Sequence, residues 1–314
     1  MDSTTTTRRA PSGMLLLVGT GILWGTIGVA SKGVFEHSAL DAVSVTWIRT
    51  LMASPICILA VWLSGGRSLL NFSRGDLLRM IGLGLALIFY QWSYLAAVEQ
   101  IGVTATTLIS LCGAPVIVAI LSVILLHEPL SRAQLIALAG ALIGTGLLIG
   151  RPPEMEGGNP TLGVLFALAC ALGIAVHVMG SRSVAGRIHP LVVLAIGFSV
   201  GAIALAPFVF ARGLHPDADL TAWALLVYLA TVPSFVAYFF YQRGLRDVPA
   251  SMASIVTLLE PLVAAVLAWF FFGERLAWLG LLGGALLLVS IWFLSTRAPR
   301  PAANPVKLVI EAEG

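Results

Sequence analysis

Apolar residues fill this 314-residue chain in runs of about twenty, parted by short stretches carrying proline, glycine and charge. A helix crossing about 30 Å of hydrocarbon at about 1.5 Å per residue needs about 20 such residues. The pattern predicts ten spans, at 13–33, 42–64, 77–98, 102–126, 132–150, 160–182, 190–210, 219–242, 249–272 and 276–296. The runs are continuous rather than alternating, so helices are expected and a membrane β-barrel is not. What remains is a tail at 1–12, a polar linker at 151–159 and a polar, proline-containing tail at 297–314.

The punctuation agrees with helices. Ser73 with Asp76 and Ser131 with Gln134 have capping-box spacing at the starts of spans three and five. Asn159-Pro160 and His189-Pro190 place a proline at the first turn of spans six and seven, where its missing N–H costs nothing. Arg8-Arg9 precede the first run, but no small-residue cleavage site closes a short apolar core, so an uncleaved span is expected there.

Composition narrows the class. The chain is 58% hydrophobic and 11% charged, which leaves no room for a soluble domain. Cys57, Cys112 and Cys170 all lie within spans, as small buried hydrophobes, with neither a disulfide framework nor a zinc spacing. The net charge of +3 is sorted by loop rather than gathered in a patch, so nucleic acid is not an expected partner. Of the 18 basic residues, thirteen fall on the side of the N-terminus, four on the other (Lys32, Arg151, Arg212, Arg275), and Arg49 lies inside span two. By the positive-inside rule both termini are cytoplasmic, in a multi-pass protein of the cell (inner) membrane.

The chain is also written twice. At a shift of 146 residues Pro115 aligns with Pro261 and Glu128 with Glu274, without a gap between them. The repeats are 13–150 and 160–296. Each holds five spans, an odd number, so the second copy is expected upside down relative to the first, the architecture of carriers that work by alternating access.

The chemistry sits near mid-membrane. Glu260 lies about 16 Å into span nine, where a charged side chain facing lipid costs about 2.5–3.5 kcal/mol. Three roles are compatible with that place: a buried hydrogen-bonding group, a proton- or substrate-coupling group, or a charge partner of Arg49. Pro261 beside it, and Pro115 in span four, each remove a backbone donor and predict a bend. Paired interruptions in two halves point to a transporter's binding site. Thr231, Ser234, Tyr238 and Gln242 recur at helical spacing in span eight, so their polar groups share a face toward a cavity or a polar helix contact. Trp24, Tyr90 and Tyr94 are placed deeper than an interfacial belt, and Ser110 precedes the span-four proline; these are candidate cavity liners. His177 is a lone histidine in span six, read as a packed side chain or a proton relay.

The stretches LLEPLVAAVLAWFFFGERL and LCGAPVIVAILSVILLHEPL resemble the paired fourth and ninth helices of EamA-type transporters of the drug/metabolite transporter superfamily. LWGTIGVASK at 23–32 is similar to the first-helix signature of those proteins. The resemblance covers nearly the whole chain and implies ten helices, cytoplasmic termini and export of small metabolites. The aromatic midplane is compatible with the YddG-like amino-acid exporters. His127 stands where the family has glycine before the hairpin glutamate. The resemblance also implies a structural role for Glu128 and Glu274 at their turns.

Other classes fare worse. No H-E-x-x-H, G-x-S-x-G or C-x-x-C is present, and all aspartates lie in tails, loops or helix ends, so an enzyme is not expected. No cofactor or metal is expected either, and a P-loop for ATP is absent. The sequence-based expectation is a monomeric, all-α carrier with a cavity lined by spans one, three, four, six, eight and nine. A multidrug or other metabolite carrier, or a passive channel, is the alternative.

Overall fold

The computed structural model describes residues 9–150, 158–214, 217–273 and 277–297. Residues 151–157 of the expected linker at 151–159, the outer parts of both tails and Glu274 lie outside the described residues. Among the described residues the chain is helical with no strand, and nine helices are long and apolar enough to cross a membrane. Long helices are the form in which a backbone surrounded by lipid satisfies its own polar groups.

In chain order these are α1 (Arg9–Glu36), α2 (Ala42–Ser64), α3 (Arg74–Leu125), α4 (Arg132–Ile149), α5 (Pro160–Val184) and α6 (Pro190–Arg212). There follow α7 (Leu220–Leu229), a π-helical turn Ala230–Val236, α8 (Ala237–Gly244), α9 (Ala250–Val256), α10 (Leu259–Phe272) and α11 (Trp278–Thr296). The predicted caps form: Ser73 with Asp76 and Ser131 with Gln134 are full capping boxes, and Asn159 accepts from Leu162 N–H at 3.1 Å. Asp219 caps α7 by accepting from Ala222 N–H, which holds its carboxyl below the usual carboxylate range.

Spans three and four, expected as separate runs, are joined in the 52-residue α3. At about 1.5 Å per residue a straight helix of this length is about 78 Å long, more than twice the hydrocarbon thickness. It does not run straight. Gly102, at φ 77 and ψ 167, is its one non-helical residue, and the chain doubles back there. Near the turn, Gln100 accepts from Asn159 N–H at the start of α5 (3.1 Å), while both ends of α3 return to the far end of α5. There Asp76 meets Arg187 at 3.2 Å and Glu128 meets Arg182 at 3.0 Å. The positive φ is why glycine occupies the turn.

The helices pack by exchange between halves: α2 on α6, α4 on α11, α1 on α8 and α10, and α5 on both arms of α3. Small residues permit the close crossings. A Cβ on Gly144 would stand 2.7 Å from the Gly283 carbonyl, and one on Gly283 would stand 2.5 Å from the Gly144 carbonyl. Gly140 faces Ser290 on the same interface, so α4 and α11 run antiparallel.

The two ends differ in charge. One gathers arginines, among them Arg79, Arg182 and Arg187, into ion pairs with Asp76 and Glu128. The other carries His37 against Asp219 at 2.8 Å and Arg212 near Asp41 and Glu99.

Candidate functional site

The site begins with a break in the helix expected at 249–272. Because Pro261 has no N–H, the Thr257 carbonyl one turn earlier loses its helical donor. Glu260 N–H fills that vacancy at 3.0 Å, a tighter bond spanning three residues, and Leu258 N–H bonds Ile255 in the same way. The chain therefore passes from α9 to α10 through a turn at Thr257 and Leu258, and Glu260 projects from the first turn of α10. Helix α1 lies close against this break. A Cβ on Gly25 would stand 2.8 Å from the Glu260 carbonyl and 2.5 Å from Cβ of Val263, and Gly21 packs on Leu259. At Pro115, the counterpart in the first half, the backbone remains helical, and the interruption in α3 falls at Gly102 instead.

The Glu260 side chain is half-buried and accepts no hydrogen bond from any described residue. Arg49, also half-buried, interacts with it electrostatically without touching it. The guanidinium donates to Gln91 Oε1 at 2.8 Å, and Gln91 in turn donates to the Leu87 carbonyl at 3.3 Å. Three tyrosines lie within electrostatic reach of one or both groups. Tyr90 lies in the field of Arg49, Tyr94 in that of Glu260, and Tyr238 in both. The Tyr90 and Tyr238 hydroxyls are hydrogen-bonded at 2.9 Å, and Tyr94 bonds Thr107 across the α3 turn at 2.7 Å.

Trp24 closes one side, 4.9 Å from the Tyr238 ring and 5.3 Å from Tyr241. The π turn of α7–α8 fixes it. There Ala237 N–H reaches back five residues to Val232, leaving the Pro233 carbonyl to accept the Trp24 indole N–H at 3.2 Å. Ser234 Oγ donates to the Leu229 carbonyl, which Pro233 cannot serve.

Several sequence candidates spend their polar groups on the protein itself. Ser110 donates to the Ala167 carbonyl at 3.2 Å, and Gln242 donates to Ser181 at 2.9 Å, with both side chains buried. Thr231 turns its hydroxyl back onto Val227 and Tyr228 of its own helix. The span-eight pattern is thus a polar helix contact at Gln242 and a bond to its own backbone at Ser234 and Thr231, while Tyr238 bonds Tyr90.

His177 brings Nδ1 to the Leu83 carbonyl at 3.3 Å and sets its ring edge-on to Tyr90 and Tyr238. Its Nε2 is buried without a partner among the described residues. A cavity of about 20 Å³ adjoins it, lined by Leu83, Phe198, Tyr238 and Gln242 among others, with room for about one water. Among the described residues no three His, Cys, Asp or Glu side chains are grouped to hold a metal ion.

Gln91 as the partner of Arg49, Thr107 as the partner of Tyr94, and the seat provided by Gly21 and Gly25 are contacts that periodicity does not pair. An amide in an apolar run is the signal by which Gln91 can be found, since such a group requires a partner in hydrocarbon.

Comparison with known proteins returns transporters. The sequence model of the EamA-like transporter family matches twice, at 11–150 and at 161–296. The uncharacterized transporter YwfM of Bacillus subtilis is 28% identical over 286 residues, covering 91% of this chain and 94% of its own. The uncharacterized inner membrane transporter YicL of Salmonella typhimurium is 25% identical, covering 92% of this chain and 97% of its own. A solved crystal structure superposes with a TM-score of 0.79 at 21% identity, over 92% of this chain and all of that one, a likeness of fold.

Proposed function

The chain belongs to the EamA-like transporter family, and from that premise we propose that it is a secondary carrier exporting small metabolites, with neutral or aromatic amino acids foremost. The observation that carries the substrate reading is the pair Arg49 and Glu260. Both are half-buried ionisable side chains, of opposite kind and not in contact with each other, and Tyr238 lies within electrostatic reach of both. In hydrocarbon such groups require partners, and intramembrane ionisable residues away from lipid mark solute paths.

The mechanism is alternating access of two inverted five-helix repeats with ten crossings. Three features support it: the doubling back of α3 at Gly102, the antiparallel crossing of α4 and α11, and the family match falling once in each half. The break before Pro261 and the π turn at Pro233 supply backbone that can repack as the halves rock. Substrate is held by Arg49, Glu260, Tyr90, Tyr94 and Tyr238, with Trp24 as a wall. The protein works as a monomer in the inner membrane with both termini cytoplasmic, its arginine-rich end inward.

Purified protein in liposomes, given a panel of labelled amino acids with and without a proton gradient, tests this. The reading predicts saturable flux of neutral amino acids, reduced at least about tenfold by Glu260→Gln. Amino-acid flux untouched by that substitution would take Glu260 out of the site. If other metabolites or drugs cross and amino acids do not, the substrate reading is wrong.

A further inference from the structure

We infer that the groove between α3 and α6 binds a membrane phospholipid with a primary-amine headgroup, its chain lying in the groove and its head on Glu99 and Arg212. This is independent of which solute the carrier moves. The two helices cross closely at Gly84, where a Cβ would stand 2.6 Å from the Gly197 carbonyl. One turn further along both, Gly201 packs on Ile88, so the helices run in the same direction. Beyond the crossing lies a groove of about 240 Å³, walled by Leu85, Phe89 and Trp92 of α3 and by Ala204 and Phe208 of α6, whose four large side chains are exposed. It has room for several waters, but its walls offer them no polar group except the Trp92 indole. Hydrocarbon is the occupant that gains there.

The charges above the groove provide the tether. Glu99 follows Trp92 by seven residues and Arg212 follows Phe208 by four, so each stands over the groove on the same face of its helix. They approach each other at 3.8 Å, and Arg212 lies 3.7 Å from Asp41, distances too long for hydrogen bonds. At about 1.5 Å per residue the groove starts about 10 Å below Glu99 at Trp92 and reaches about 21 Å at Leu85. The hydrocarbon of one leaflet is about 15 Å deep beneath about 5–8 Å of headgroups, so a lipid whose head is level with Glu99 lays its chain along the groove. The same charges choose the head. Arg212 has guanidinium donors to give to a phosphate. Asp41 and Glu99 leave these three side chains with one more negative charge than positive, so an anionic head is repelled, whereas a primary ammonium donates to Glu99. A trimethylammonium head has no N–H to donate, which ranks phosphatidylethanolamine above phosphatidylcholine and both above phosphatidylglycerol.

Native mass spectrometry of the full-length protein, given an equimolar mixture of these three lipids with identical chains, reads the bound head by its mass. Phosphatidylethanolamine adducts are expected to exceed phosphatidylglycerol adducts about tenfold, the order of one charge-assisted hydrogen bond. Glu99→Lys is expected to reverse that order, a gain that a misfolded variant cannot mimic. Ala204→Phe, which enlarges a small side chain on the groove wall, is expected to remove the excess adduct whatever its head. Equal adducts of all three lipids on wild type, a preference that Glu99→Lys leaves in place, or adducts that Ala204→Phe leaves undiminished would overturn the inference. A dimer carrying no adduct would also overturn it, and would give the groove to a second copy of the chain.

Discussion

Gly25 sits where α1 presses on the break before Pro261, and a methyl group there has nowhere to go. Its Cβ would meet a backbone carbonyl and the Cβ of Val263, neither of which can swing aside like a side-chain tip. Gly25→Ala is therefore expected to force α1 and α10 apart at a cost of about 1–3 kcal/mol. A thermal melt in detergent measures this, and an unchanged melting temperature would mean the contact is looser than described. In the sequence Gly25 was one of several glycines in span one, legible as a small-residue surface but not as the seat of the Glu260 turn, because its partner is 235 positions away. Glu260, Arg49 and Pro261 could be singled out because charge and a missing donor are conspicuous in hydrocarbon. Ser110, Ser234 and Gln242 are singled out by the same polarity, yet polarity alone does not distinguish a group facing solute from one bonded to a neighbouring helix, as Ser110 and Gln242 are, or to its own backbone, as Ser234 is.

At the scale of elements, the apolar runs form helices, nine of them among the described residues long and apolar enough to cross a membrane, and the predicted caps form, since an apolar run and a capping box are both local facts. The irregular backbone is less legible. Pro233 and Pro261 produce a π turn and a short 3₁₀ passage, whereas the chain around Pro115 stays helical; a proline's effect depends on which neighbour takes up the freed carbonyl. Glu128 illustrates a tie that sequence places only at a turn. It pairs with Arg182 at 3.0 Å, and its other oxygen accepts from Ala250 N–H at the start of α9, while Arg182 also donates to the Leu245 carbonyl. This pins the loop after α3 to the ends of α5 and α8 at the arginine-rich end. Glu128→Gln is expected to lower stability by about 1 kcal/mol, since the pair is only partly exposed. Hydrogen exchange at the start of α9 would report it as faster opening; no change there would reduce Glu128 to a surface ornament.

For the whole molecule, the account joins three features: two halves that each match the family, different ion pairs at the two ends, and two half-buried ionisable side chains, Arg49 and Glu260, that are not in contact with each other. The repeat was legible because Pro115 and Glu128 align with Pro261 and Glu274 on one diagonal. How the copies embrace was not, because the pairing of α2 with α6 and of α4 with α11 is a long-range choice made by side-chain fit. The central claim is that this fold carries its solute by exposing one site to alternate sides. The most direct measurement is counterflow: liposomes loaded with unlabelled leucine or phenylalanine, diluted into a trace of the labelled form. A carrier is predicted to accumulate label transiently above its equilibrium level, driven by the outward movement of unlabelled substrate. Label that only equilibrates, at a rate indifferent to what is loaded inside, would contradict the account and describe a channel.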